Sequence, residues 1–242
     1  MTNLLTLHYL ARIPGSTADS GHGNLRRMTK FGVDNYDDYW RMRKAQGRTR
    51  FSAVHGKIVE VIKRYVAPGC QILDCGVGPA QSYRLLAQDY QLSGVEISSE
   101  AIAQYDFDVS RIKQANLNDG IPEFGVQFDG LIASMIIHHL RDPSAFLNQV
   151  KERLAPTGVL LAVHPNISYY KHRLKYLFRG TFPSISTAHV VFLPPHELRA
   201  LLEAANFEII KITSPKRTVR ARLWPELFSQ DLFYVCRARP AR

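Results

Sequence analysis

The chain has 242 residues, 45% of them hydrophobic and 10% aromatic, and a formal net charge of +10. That length suits one domain with elaborations, and that composition excludes a wholly disordered or fibrous protein. The longest apolar runs, around Leu131–Ile137 and Val159–Val163, fall far short of the roughly 18 residues a membrane span needs.

The first residues, MTNLLTLHYLARIPG, put His8 and Arg12 inside the apolar stretch and make a poor secretory signal. Cys70, Cys75 and Cys236 form no C-x-x-C pair and no metal-ligand cluster, so no metal site is expected and a reducing, cytoplasmic setting is. Charge is uneven: residues 1–67 carry net +7, residues 68–160 net −5, and residues 161–242 net +8. A solvated face explains the basic flanks as well as an anionic partner does.

Residues 1–50 are polar and glycine-bearing and end in an aromatic cluster, Tyr36, Tyr39 and Trp40, so they are expected to be a partly flexible extension. Val54, Ile58, Val61, Ile62 and Tyr65 then fall at helical spacing, and Pro68-Gly69 stops that helix. Gln71–Asp74 reads as a strand, Ala80–Tyr90 as a helix, Leu92–Glu96 as a second strand, and a helix starts near Ser99. Ile112–Ala115 is a weak third strand and Phe128–Ser134 a strong fourth. Asp142 as N-cap and Pro143 in the first turn open the next helix, which Pro156-Thr157-Gly158 closes. Gly158–Val163 is a fifth strand, Pro195 opens a further helix, and Phe207–Ile212 and Leu232–Val235 are the last strands. This alternation implies an α/β fold with a doubly wound, mostly parallel, seven-stranded sheet over residues 51–242.

The densest signal is Gln71-Ile-Leu-Asp-Cys-Gly-Val-Gly-Pro-Ala80, a strand that runs through Gly76-x-Gly78 into a helix. Such a turn lets a ligand approach the backbone and offers it free N–H groups. Glu96 ends the following strand, where an acid can chelate two ribose hydroxyls. A dinucleotide fingerprint wants a third small residue where Gln81 stands, and Asp74 would repel a pyrophosphate. The acids favour a cationic ligand instead.

ILDCGVGPA, GVEIS, QANLNDGIP and FDGLIASMIIHHLRDPSAFLNQVKERLAPTGVLLAV, in that order, resemble the class I S-adenosylmethionine-dependent methyltransferases. The resemblance implies that S-adenosylmethionine is the cofactor. It places Asp74, Gly76 and Gly78 along the methionine and ribose, Glu96 on the ribose hydroxyls, and Ile97 on the adenine. Asn116-Leu117 falls where such enzymes hold the adenine amino group, with the Asn116 carbonyl as acceptor. Ser134 and Met135 would border the methionine end, and Ala80 stands in place of the loop's third glycine.

His138, His139, His164 and His189 are the candidate general bases. His139 and His164 rank first because they follow predicted strand carboxyl ends. Tyr36, Tyr39 and Trp40 either roof the pocket or simply pack. The expected function is transfer of a methyl group to a small-molecule or lipid-like acceptor, by in-line displacement from S-adenosylmethionine. An RNA or protein methyltransferase that uses the basic flanks, or a non-catalytic cofactor-binding scaffold, are the alternatives, with nucleic acid the less favoured partner. No Asn-Pro-Pro-Tyr-type motif follows the fourth strand, where Ser134-Met135-Ile136-Ile137 stands.

About 30 residues separate the fifth strand from Pro195, far beyond the usual connection of about 2–6. Within them Tyr170, Leu174, Leu177 and Phe178 form one helical stripe, and Lys171, Arg173, Lys175 and Arg179 populate the other faces. Residues 165–193 are therefore expected to be a helical lid that carries acceptor specificity. Its basic amphipathic helix is expected to pack as a cap, to grip an acidic acceptor, or to lie on an anionic membrane.

Overall fold

The computed structural model describes residues 36–47, 50–180 and 191–239. Seven strands form one sheet in the order β3-β2-β1-β4-β5-β7-β6. They are β1 (Gln71–Cys75), β2 (Gln91–Glu96), β3 (Ile112–Gln114), β4 (Phe128–Ser134), β5 (Leu154–Pro165), β6 (Phe207–Thr213) and β7 (Asp231–Ala238). Only β7 runs antiparallel to its neighbours, so the mostly parallel, doubly wound sheet is as expected. Chain order runs outward from β1 to β2 and β3 on one side and from β4 onward on the other. The reversal between β1 and β4 opens a crevice at their carboxyl ends, where such sheets bind ligands.

Successive residues of each central strand face opposite layers. Ile72, Ile132, Leu161 and Val235 pack with Ile58, Ile62 and Leu86 of α2 (Ala53–Tyr65) and α3 (Gln81–Leu86). Leu73, Leu131, Leu160 and Tyr234 pack on the other face. Their neighbours there are Phe146, Leu147 and Val150 of α5 (Pro143–Arg153) and Leu198 and Leu202 of α7 (Pro195–Ala204). Burial on both faces is why these strands read as near-continuous apolar runs. The predicted N-cap holds: Asp142 Oδ1 accepts Ala145 N at 2.9 Å.

Three boundaries differ from expectation by three residues or more. The helix predicted to reach Tyr90 ends at Leu86, because Asp89 and Tyr90 N–H both turn back onto the Leu86 carbonyl before β2 begins. β5 starts at Leu154 rather than Gly158. Leu154 already pairs with Phe128, and a bulge absorbs Ala155–Gly158 before regular pairing resumes at Gly130–Val159. β7 extends three residues past Val235, since Cys236, Arg237 and Ala238 all pair with β6.

Two short helices, α8 (Val219–Leu223) and α9 (Pro225–Phe228), fill the β6–β7 connection, where no helix was expected. Thr218 caps the first, accepting Ala221 N at 3.3 Å. At the other end of the chain, α1 (Tyr36–Ala45) docks on α4 (Ser99–Ile102). Asp37 Oδ1 accepts Ser98 Oγ at 2.5 Å and Glu100 N at 3.1 Å. Its Oδ2 accepts Ser99 Oγ, and the hydrogen bonds from Ser98 first, then Glu100 N and Ser99, hold the Asp37 carboxyl below its ordinary range.

Candidate active site

At the carboxyl end of β1 the sequence forces a sharp turn. Gly76 and Gly78 take φ of +83° and +59°, a left-handed conformation that favours glycine. Space matters as much as dihedral: a Cβ on Gly76 would stand 2.5 Å from Ile136, and one on Gly78 3.2 Å from the Trp40 ring. The turn is tied to β2, since Gly76 N donates to Val95 O at 2.8 Å and Gly78 N to Glu96 Oε2 at 2.8 Å. Tyr105 closes it from the other side, donating its hydroxyl to Gly78 O at 2.7 Å.

Glu96 is 3% exposed and densely bonded. Its Oε1 accepts Ile97 N and Ser98 N, its Oε2 accepts Gly78 N, and the Trp40 indole N–H donates to the same carboxylate. Burial raises its pKa, and these hydrogen bonds pull it back. Asp74 is 2% exposed, and its carboxyl is pushed up to about 8, first by burial and then by the Glu96 charge. Two acids in one buried turn suit a ligand that brings positive charge and hydroxyl donors.

The turn opens into a cavity of about 660 Å³. Every expected cofactor residue lines it: Asp74, Gly76, Gly78, Glu96, Ile97, Asn116, Leu117, Ser134 and Met135. Asn116 differs in detail from the expectation. Its Oδ1 already accepts Asn118 N at 3.0 Å and Asn118 Nδ2 at 3.1 Å, which uses both lone pairs. What Asn116 offers a ligand is its pair of N–H donors. Met135 sits at φ +56°, a sparsely populated conformation for a non-glycine residue and one found at functional sites.

The histidines separate. His138 and His139, in a single 3₁₀ turn after β4, both line the cavity, with ring centroids 4.3 Å apart. His164 is buried behind His138, edge-on at 5.1 Å, with Nδ1 bonded to Pro165 O, and forms no part of the wall. His189 lies outside the described residues.

Of the two readings of the aromatic cluster the roof holds: Tyr36, Tyr39 and Trp40 of α1 line the cavity, with Trp40 over Gly78, while Arg43, Arg50, Phe51 and His55 beside them were missed. Burial lowers the His55 pKa, and His55 Nδ1 accepts Ser52 N at 2.9 Å, which leaves Nε2 to carry the proton. A serine three residues before a histidine at a helix start was the available signal. Of the 165–193 insertion, Pro165 alone lines the cavity among the described residues.

A family described as "Methyltransferase domain" matches residues 42–212. The chain belongs to this family of methyltransferases. Its sheet is that of the class I methyltransferases. The ubiquinone biosynthesis O-methyltransferase of Dinoroseobacter shibae is 28% identical over 159 residues, 58% of this methyltransferase and 60% of that protein. The chain thus spans about 60% of the length of that curated relative. An S-adenosylmethionine-dependent methyltransferase from Clostridium acetobutylicum superposes with TM-score 0.61 at 11% identity, covering 85% of this chain and 99% of that one. The 1,6-didemethyltoxoflavin-N1-methyltransferase of Burkholderia thailandensis gives TM-score 0.60 at 15% identity, covering 85% and 88%. These two likenesses establish the methyltransferase fold.

Proposed function

We propose that this methyltransferase moves the methyl group of S-adenosylmethionine onto a hydroxyl oxygen of a small or lipid-like acceptor that bears an anionic group. One observation carries the reading: a single cavity joins an acidic, glycine-lined turn to aromatic and basic side chains. Asp74, Gly76, Gly78 and Glu96, at the ends of β1 and β2, line it together with Tyr36, Tyr39 and Trp40 of α1 and with Arg43, Arg50, His138 and His139. The O-methyltransferase relative supports oxygen as the methylated atom.

The chain's residues fit the cofactor. Glu96 accepts ribose hydroxyls, Asp74 gives up its proton to pair with an ammonium group, and the glycine turn admits the ligand where a Cβ would crowd Ile136 or Trp40. When bound, S-adenosylmethionine supplies a methyl group already activated by the sulfonium charge. The protein is left with positioning, which can supply about 7–11 kcal/mol of a barrier. Arg43 and Arg50 orient the anionic group of the acceptor, and Tyr36, Tyr39 and Phe51 flank its body. His139 receives the hydroxyl proton on a ring nitrogen, with His138 packed against it and His164 behind.

The test is transfer of tritium from methyl-labelled S-adenosylmethionine to a panel of phenolic carboxylates and long-chain phenols. His139→Ala should lower kcat about 10²–10⁴-fold, the usual range for a general base. Affinity for S-adenosylhomocysteine, read by calorimetry, should stay unchanged. Label appearing only on RNA or protein, or an undiminished kcat in His139→Ala, would overturn the reading.

A further inference from the structure

The insertion after β5 holds an amphipathic helix that the cavity does not use. This is α6 (Tyr170–Arg179), and every residue from Arg173 to Gly180 is exposed. Leu177 and Phe178 are 73% and 78% exposed, and Leu174 adjoins them one turn back. Apolar side chains so exposed on one stripe are an unmet demand for an apolar surrounding. A second segment repeats the pattern: Val219, Leu223 and Trp224 of the α8–α9 pair are each more than 60% exposed.

The topology brings the two segments together. β5 and β7 are antiparallel, and Pro165 at the end of β5 pairs with Asp231 at the start of β7. The chain that leaves β5 and the chain that enters β7 therefore emerge side by side at one end of the strands. A polar hub locks them there. Asn166 Nδ2 donates to Glu226 O and to Ser229 O, both at 2.7 Å, and Lys216 Nζ donates to Tyr169 OH at 2.8 Å. Tyr170 packs on Phe228 with ring centroids 5.5 Å apart.

Charge then identifies the occupant. Seven exposed cations stand on these segments: Lys171, Arg173, Lys175 and Arg179 on the first, and Arg217, Arg220 and Arg222 on the second. None makes a salt bridge among the described residues. The lone acid of residues 166–180 and 214–230, Glu226, is bonded to Arg199 at 2.7 Å. We propose that α6 and α8–α9 together form a surface that docks on an anionic lipid bilayer.

A bilayer answers both halves of the pattern: acyl chains take Leu177, Phe178, Leu223 and Trp224, and anionic headgroups take the seven cations. Nucleic acid would meet the charge and leave the apolar stripes in water. A second copy would meet the stripes and set seven cations against seven. No helix among the described residues is long and apolar enough to cross a membrane, so the segments lie on the surface. Pro165, which leads into α6, also lines the cavity, so the docked face adjoins the site. The proposal stands whatever the acceptor is.

Co-sedimentation of the whole chain with vesicles tests it. Wild type should partition onto phosphatidylglycerol–phosphatidylcholine vesicles, weaken as salt rises, and show little binding to phosphatidylcholine alone. Leu177→Ser with Phe178→Ser, and separately Leu223→Ser with Trp224→Ser, should each lower partitioning severalfold, and the four together should abolish it. Removing one cation, as in Arg220→Gln, should cost about fivefold. None of these residues lines the cavity, so unchanged S-adenosylhomocysteine affinity reports that the variants are folded. Trp224 should be quenched by brominated lipid, read against Trp224→Phe. Absence of wild-type binding, equal binding to neutral vesicles, or full partitioning by the four-site variant overturns the proposal. So does a dimer in solution that Leu177→Ser with Phe178→Ser dissolves, which would assign the face to a second copy.

Discussion

Glu96 accepts Gly78 N, Ile97 N, Ser98 N and the Trp40 indole, so its four acceptor positions are committed before any ribose hydroxyl arrives. A ligand that takes two of them must displace a donor, and the side chain of Trp40 moves more easily than the backbone of the turn. The isosteric Glu96→Gln is therefore not conservative. Its amide keeps one acceptor oxygen but turns an NH₂ group toward Gly78 N–H or toward Ile97 and Ser98. We expect this variant to lose about 1.5–3 kcal/mol of S-adenosylhomocysteine binding, the value of hydrogen bonds to a charged group, and to melt at a lower temperature. Calorimetry and a thermal melt check both; unchanged affinity would mean that Glu96 does not hold the ligand. At this scale the sequence was informative wherever chemistry is local. Asp74, the two glycines and Glu96 are spaced along a strand, a turn and a strand. Arg43, Arg50 and His55 were not legible as wall residues, because nothing near them in the chain says what they will face.

The strand–turn–helix element at β1 carries its own strain. Ala80, the residue before α3, sits at φ +56° and ψ +20° with no exposed surface. A left-handed residue with a Cβ costs roughly 1–2 kcal/mol, while glycine's extra freedom in the unfolded chain costs about 0.4–1 kcal/mol. Ala80→Gly should therefore stabilise the protein by about 0.5–1 kcal/mol, seen as a melting temperature higher by about 2 °C. A lower melting temperature would show that the lost methyl packs better than the relieved backbone. Elements with a long period and clear caps, such as α5 behind Asp142 and Pro143, could be read directly. α8 and α9 could not, because five and four residues are too few to display a helical period. α1 was visible as an aromatic cluster, yet its seat depends on Asp37 meeting Ser98, 61 residues away. No local pattern records that contact.

Across the molecule, the doubly wound, mostly parallel sheet followed from the alternation of strands and helices, whereas the strand order and the reversed direction of β7 did not. Burial at the start of that strand has a measurable effect on stability. The Asp231 carboxyl is raised to about 6 by burial, a shift that Lys216 only partly opposes. A raised acid holds its proton more tightly in the folded state, so its contribution is favourable at low pH. That contribution is lost as pH climbs from the usual carboxylate value near 3.8 through about 6. Asp231→Asn should accordingly raise the melting temperature at pH 8 by about 2–4 °C, and leave it nearly unchanged at pH 4. An equal gain at both would point to packing instead of ionisation. The place of β7 in the sheet also bears on how the protein is made. It follows the other six strands in the chain, yet it lies between β5 and β6. A growing chain on the ribosome can pair β1 to β5 as they emerge, but β6 has no seat until β7 arrives. Until then β5 presents the open edge Val159–Pro165, and Leu232–Cys236 are absent from the core. The nascent protein passes through synthesis with a half-built sheet and a sticky border. The lining of the cavity, all of it between Tyr36 and Pro165, emerges earlier and waits for β7 to brace the tip of β5.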